Sequence, residues 1–246
     1  MLIALLADLH ANREALSASL ADARRRGVCR YIFLGDYVGY GADPSWVVDQ
    51  VMSYVERGAV AVRGNHDHAV FSFSEQMNPS AQAAIEWTRN QLDGSQRQFL
   101  HSLPFAIEEK HRLFVHASAN DPANWPYVLG THDAEASLNA TGCRQTFCGH
   151  VHIPALYYLG APGKIGHFVP VQGVEMPLSS RRKWLAVLGS IGQPRDHNPA
   201  ACYALLDDER DLLTYIRIPY DTETAARKVR EAGLPAGLST RLQLGY

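Results

Sequence analysis

Asp8 with His10, Asp36, Asn65-His66-Asp67, His116, and His150 with His152 form short blocks of carboxylate, amide and imidazole groups spread through the chain. Singly, an Asp after an apolar run is an ordinary helix cap, and a lone His is an ordinary surface or core residue. The shared context of these blocks sets them apart. Leu5-Leu6-Ala7, Ile32-Phe33-Leu34, Val60-Ala61-Val62, Leu113-Phe114-Val115 and Thr146-Phe147-Cys148 lead into them in turn. In open α/β sheets, sites assemble in the loops beyond the carboxyl ends of parallel strands. Carboxylates and imidazoles gathered there without partners would cost roughly several kcal/mol each. Divalent cations remove that cost. Mixed nitrogen and oxygen donors with no thiolate suit Mn, Fe or Zn better than copper or calcium.

The elements that must position these blocks follow from the apolar pattern. Residues 2–7, 31–34 and 59–62 read as strands, separated by helices over 12–26 and 44–57, the order of strands joined by crossover helices in a largely parallel sheet. Asn12 can cap the first helix, and Pro44 fits the first turn of the second. Residues 79–92 and 95–101 read as helices, broken at Asp93-Gly94. Beyond Leu103 the texture turns to strands, over 105–109, 113–116, 146–148, 155–159, 166–171, 184–188, 202–206 and 212–218. Short helices are expected over 133–140 and 223–232. Parallel strands first and antiparallel ones later imply an α/β (α+β) fold, two mixed β-sheets packed face to face with helices outside, a four-layer αββα sandwich. The chain is expected to form a single domain over 1–246, with 232–246, rich in small and turn-forming residues, a loosely attached tail.

Composition bounds the chemistry. The 246 residues are 46% hydrophobic and 20% charged, enough apolar content for a substantial core. A net charge of -2 disfavours a dedicated nucleic-acid surface. The four cysteines, Cys29, Cys143, Cys148 and Cys202, lack the paired spacing of a zinc site and read as free thiols. The apolar start at Met1 has no basic leader and runs straight into Asp8, so it reads as a strand; no run is long enough for a membrane helix. A cytoplasmic location is the expectation.

The ordered set Asp8-x-His10, Gly35-Asp36, Gly64-Asn65-His66-Asp67, His116 and Gly149-His150-x-His152 resembles the calcineurin-like metallophosphoesterase superfamily, over residues 2 to about 195. The runs Gly35-Asp36-Tyr37-Val38-Gly39-Tyr40-Gly41 and Gly189 to Asp196 look like its small prokaryotic branch of phosphodiesterases and diadenosine-tetraphosphatase-like proteins. The resemblance implies two divalent metal ions, the first bound by Asp8, His10 and His152, the second by Asn65, His116 and His150, with Asp36 bridging. A shared hydroxide would attack the phosphorus while the cations neutralise phosphoryl oxygens. The resemblance makes His66 the catalytic imidazole at the leaving group, oriented by Asp67.

Substrate contacts are expected from Arg195, in a Gly- and Pro-rich turn, and from Asn12, whose competing role is the helix cap. Arg13 and Arg63 could face phosphate or solvent, and His68 could line the cleft without binding metal. Tyr40, Trp125 and Tyr127 are expected to pack rather than stack on a base. After His116 the chain reads Ala117-Ser118-Ala119-Asn120-Asp121-Pro122, where many members of that superfamily carry Gly-Ser-Pro or a similar small-residue loop with proline; this alters the rim, and residues 124–129 are expected to form a lid or wall. The expected activity is hydrolysis of a small phosphodiester or nucleotide. The alternatives are a phosphomonoesterase or phosphoprotein phosphatase on the same core, or a non-catalytic metal-binding scaffold.

Overall fold

The computed structural model describes residues 1–72, 77–161 and 163–246. The elements run β1 Leu2–Leu6, α1 Arg13–Arg25, β2 Arg30–Phe33, α2 Pro44–Glu56, β3 Val60–Ala61, α3 Asn65–Ala69, α4 Pro79–Arg89, α5 Gly94–Ser102, β4 Ala106–Glu109 and β5 Arg112–Val115. They continue as α6 Thr131–Asn139, β6 Gln145–Cys148, β7 Ala155–Gly160, β8 Lys164–Phe168, β9 Met176–Pro177, β10 Lys183–Val187, β11 Ala201–Asp207, β12 Leu212–Ile218, α7 Thr222–Glu231 and α8 Ala236–Leu244.

Two mixed six-stranded sheets form, in the orders β3-β2-β1-β11-β12-β9 and β4-β5-β6-β10-β7-β8. In the first, β1, β2 and β3 are parallel; in the second, β5, β6 and β10 are. Alternation along β1 makes the layers. Ile3, Leu5 and Ala7 face the second sheet with Ile32 and Leu34, against Phe114, Phe147, Leu156, Trp184 and Ala186. Ala4 and Leu6 face the other way, into a cluster with Leu16 and Leu20 of α1 and Val47, Val48 and Val51 of α2. The outer face of the second sheet buries Val115, Cys148, Leu185 and Val187 under Ala134 and Leu138 of α6. The result is the expected four-layer αββα sandwich.

Residues 232–246 correct an expectation. Leu234, Leu238 and Leu242 are buried with Ala225, Ala226 and Val229 of α7, and α8 ends in a left-handed Gly245 whose carbonyl accepts the His197 amide at 2.7 Å. Spacing of Leu238 and Leu242 by one helical turn supplies the apolar face. Helix α7 is fastened in turn by Lys228, whose ammonium donates to Glu14 at 2.6 Å and Asp43 at 2.9 Å. The strand expected over 166–171 ends at Phe168; Val169 and Val171 are instead exposed.

Candidate metal centre

The parallel strands of both sheets end at one edge of the sandwich. β1 delivers Asp8 and His10, β2 Asp36, β3 Asn65 and His66, β5 His116, and β6 His150 and His152. β10, parallel to β6, leads into residues 189–196 and so to Gln193 and Arg195. Asp8, His10, Asp36, His66, His116, His150 and His152 are all buried.

The donors converge as two groups that share one carboxylate: Asp8, His10, Asp36 and His152, and Asp36, His116 and His150. Asp36 Oδ1 accepts the His66 amide at 2.8 Å, while Oδ2 lies 3.4 Å from His116 Nε2, 3.7 Å from His10 Nε2 and 4.0 Å from His66 Nε2. Asn65, half-buried, brings its Oδ1 to 3.2 Å from His116 Nε2.

The tautomers follow from the partners on the far side of each ring. His10 Nδ1 donates to Val38 O at 3.1 Å, His116 Nδ1 to Leu34 O at 2.7 Å, and His152 Nδ1 to Gln193 O at 2.6 Å. Each Nε2 is therefore a bare lone pair when the ring is neutral. His10 Nε2 and His152 Nε2 then face one another as two lone pairs at 3.0 Å, while His116 Nε2 and His150 Nδ1 stand 3.1 Å apart, within hydrogen-bond reach. Converging lone pairs repel unless they share a cation, and a ring fixed by N–H donation to a carbonyl is the usual support of a metal-binding histidine. The donor set fits metal.

Electrostatics agree. Burial, reinforced by His152, holds His10 well below the usual imidazole range, and burial with the Arg195 charge lowers His152. Burial and His116 likewise lower His150. At His116, burial opposes charge but the Asp36 carboxylate outweighs it and lifts the ring to about 9. The pocket thus favours neutral imidazoles with positive charge beside Asp36.

The backbone is bent to achieve this. Asp8, His10, Asp36, His150 and His152 have φ of 54°, 45°, 54°, 68° and 65°. Left-handed non-glycine residues cost on the order of 1–3 kcal/mol each and persist where surrounding structure over-determines them. Here the His10 amide donates to Asp36 O at 2.9 Å, and the His150 amide to both Asp8 carboxylate oxygens at 3.0 Å. Gly39, at φ 82°, lets the His66 ring approach the backbone closely, since a Cβ there would fall on His66 Nδ1.

The Asp67 carboxylate does not meet the His66 ring directly, although adjacency in the chain suggests it. Its Oδ2 accepts the Asp36 and Gly64 amides at 2.8 and 2.9 Å, and its Oδ1 the Tyr37 amide at 2.9 Å. Burial, then the Asp36 charge, lifts this carboxyl to about 7 against those N–H donors. His66 Nδ1 has no hydrogen-bond partner among the described residues. Burial lowers His66 to about 4, so its imidazole is neutral near pH 7. Asp67 acts instead as a clamp between the loops that carry Asp36 and Asn65.

Asn12 is also committed elsewhere. Its Oδ1 accepts the Ala15 amide at 3.0 Å and its amide donates to Gly192 O at 2.9 Å and Tyr220 Oη at 3.2 Å, so it caps α1 and ties down the loop after β10. Arg195 does reach the cluster: its charge lowers His152, His10 and His66, and Nη2 donates to Gln193 Oε1 at 3.1 Å. Arg13 packs over Trp46, and Arg63 over Phe105. The His68 ring lies 5.1 Å from that of Trp125, outside both donor groups. Tyr40 and Trp125 pack, whereas Tyr127 is 49% exposed and lies on His150. Sequence reasoning missed the carbonyls of Leu34, Val38 and Gln193, which carry no side-chain signal.

Comparison with known proteins follows this geometry. The chain is 33% identical over 250 aligned positions to an uncharacterised protein of Methanocaldococcus jannaschii, covering 99% of this chain and 98% of that one. The crystal structure of a metallophosphoesterase from Sphaerobacter thermophilus superposes with a TM-score of 0.89 at 34% identity, over 100% of this chain and 99% of that one. A hypothetical protein from Pyrococcus horikoshii, 21% identical, shares the fold with a TM-score of 0.79, over 100% and 98% of the two chains. The profile of the calcineurin-like phosphoesterase superfamily domain matches residues 1–211. The chain belongs to this superfamily of metal-dependent hydrolases acting on phosphoester bonds.

Proposed function

We propose that this chain hydrolyses small phosphodiesters or nucleotides at a dinuclear centre held by Asp8, His10, Asp36, Asn65, His116, His150 and His152. The observation that carries the reading is the pair of imidazole lone pairs of His10 and His152 facing one another in one donor group, joined through Asp36 to the His116 and His150 group. Two divalent cations, with Mn, Fe or Zn suited to these donors, would supply Lewis acidity to the phosphoryl oxygens and acidify water.

The chain's own residues do the rest. Asp36 Oδ2 stands between the groups and fixes their separation. His66 directs Nε2 toward Asp36 Oδ2 while Nδ1 is buried against Gly39, so Nε2 is the nitrogen that would hold a proton for the leaving oxygen. A neutral imidazole can stabilise a developing alkoxide by donating that hydrogen bond, while water supplies the proton that the leaving oxygen finally takes. Asp67 keeps His66 in place indirectly, through the Gly64 and Asp36 amides. Arg195 offers a fork-shaped cation for a non-reacting phosphate oxygen. Free thiols at Cys143, Cys148 and Cys202, all buried, support a reducing compartment such as the cytoplasm. Among the described residues no helix is long and apolar enough to cross a membrane. The docking of α7 and α8 onto the rest supports one domain over 1–246.

The test is turnover of the metal-loaded protein on matched monoesters, diesters and dinucleoside polyphosphates. Diester or nucleotide hydrolysis, lost with chelation and reduced by His66→Ala at unchanged metal content, is expected. Activity confined to phosphoprotein or simple monoesters would overturn the substrate assignment. Inertness on the whole panel would favour the scaffold.

A further inference from the structure

The rim of the donor cluster carries an apolar component. Tyr127, Leu129 and Ile153 are 49%, 70% and 42% exposed. Tyr127 and Leu129 belong to the loop that runs from His116 to α6, and Ile153 follows His152 directly, so all three stand on loops that also deliver donors. Tyr127 lies on the His150 imidazole with ring centroids 4.0 Å apart and planes 25° apart. The ring therefore has one face on the imidazole and much of its surface open.

Neighbouring aromatics behave differently. Tyr40 and Trp125 are 6% exposed and complete the packing around them. An aromatic ring held flat on a buried ligand, yet left half-open, is placed to receive a second ring by offset stacking.

We propose that Tyr127 is a stacking platform that selects phosphate esters bearing a planar ring, a nucleobase or an aryl group, next to the phosphate. This deepens the phosphoesterase reading of the same site and rests on it. Leu129 and Ile153 add exposed apolar surface on the same donor-bearing loops, and Arg195 packs over the Tyr40 ring that lies beside His10 and His66, so a ring and a phosphate can be held at one cluster. Because stacking involves every base face alike, the platform confers preference for a ring without distinguishing one base from another. Tyr127 touches substrate away from the reacting atoms and acts on binding rather than on the chemical step.

The experiment uses the full chain loaded with Mn2+ and compares calorimetric binding of AMP and ribose 5-phosphate to wild type, Tyr127→Ala and Tyr127→Phe, with metal content measured in each. Wild type is expected to bind AMP on the order of ten-fold or more tightly than ribose 5-phosphate. Tyr127→Ala should erase that preference at unchanged metal content, and Tyr127→Phe should keep it. In turnover, Tyr127→Ala should raise KM for a nucleoside or aryl diester on the order of ten-fold more than it raises KM for a methyl diester. Equal binding of the two ligands by wild type, or a preference that survives Tyr127→Ala, overturns the platform. A ring preference in binding by a protein inert on every ester supports the platform while sinking the phosphoesterase reading, so the two fail separately.

Discussion

The two donor groups that share Asp36 are closed in different ways. Around Asp8, His10 and His152, the protein surrounds every donor: His10 and His152 are each fixed by a backbone carbonyl, and Asp8 is held by the His150 amide. Around His116 and His150, only His116 is anchored to a carbonyl, Asn65 is half-buried, and His150 is covered by a half-exposed Tyr127. The first group is built like a structural site. The second opens toward the loop that runs from His116 to α6. The difference teaches that backbone anchoring and the covering loop, rather than donor type, separate the enclosed side of the centre from the side that opens to solvent.

Asp36→Asn should break both groups at once, because it removes the charge that both use. Metal content is expected to fall from two equivalents toward none, and diester turnover by on the order of a thousand-fold. Retention of two tightly held equivalents would contradict the sharing of Asp36.

The single-group substitutions sharpen the contrast. His10→Ala and His150→Ala should each lose about one equivalent of metal. Added imidazole is expected to restore His150→Ala better than His10→Ala, since His150 lies directly beneath the half-exposed Tyr127 whereas His10 is enclosed. Equal rescue, measured by metal analysis and turnover, would erase the distinction.

Asp67→Asn comes next in size. An amide cannot accept all three N–H groups that the carboxylate now takes, and unpaired buried donors cost about 1–3 kcal/mol each. The melting temperature should drop, and metal affinity should weaken by roughly ten- to a hundred-fold, the scale of lost supporting contacts. If Asp67 instead oriented His66, turnover would fall with stability and metal affinity intact.

The smallest effect lies far from both groups. Asp22 is partly desolvated, which opposes its charge, but hydrogen bonds from Arg26 and Tyr203 prevail and hold its pKa below the ordinary value. A depressed carboxyl contributes stability above its unfolded pKa and loses it as pH falls through the folded one. Asp22→Asn should therefore cost below about 1 kcal/mol at pH 7, given its exposed arginine partners, with the deficit vanishing at acid pH. Metal content should not change.

The layered fold and the donor cluster were legible because both are written in side chains. Apolar runs ending in Asp, Asn or His mark strand ends, and strand ends of parallel sheets meet. The supports were not legible. Leu34 O, Val38 O and Gln193 O are backbone atoms, and the left-handed φ at Asp8, His10 and Asp36 involves no glycine that would announce it. Asp67 misled because adjacency to His66 in the chain is not adjacency in space; on the short α3 its side chain turns back to Gly64 and Asp36. Asn12 was ambiguous between cap and ligand because one amide can serve either, and the distant Gly192 and Tyr220 decide it. Helix α8 was hidden by Gly237 and Pro235, which suggest a tail until Leu238 and Leu242 find α7. Tyr127 reads as packing until its loop is seen to lie on His150.

The central claim is a pair of cations held about Asp36, and titration tests it most directly. Chelated protein titrated with Mn2+ or Zn2+, with turnover of a phosphodiester followed at each addition, should regain activity in step with binding and saturate at two equivalents per chain. Turnover that survives chelation, or saturates with one equivalent bound, would contradict it.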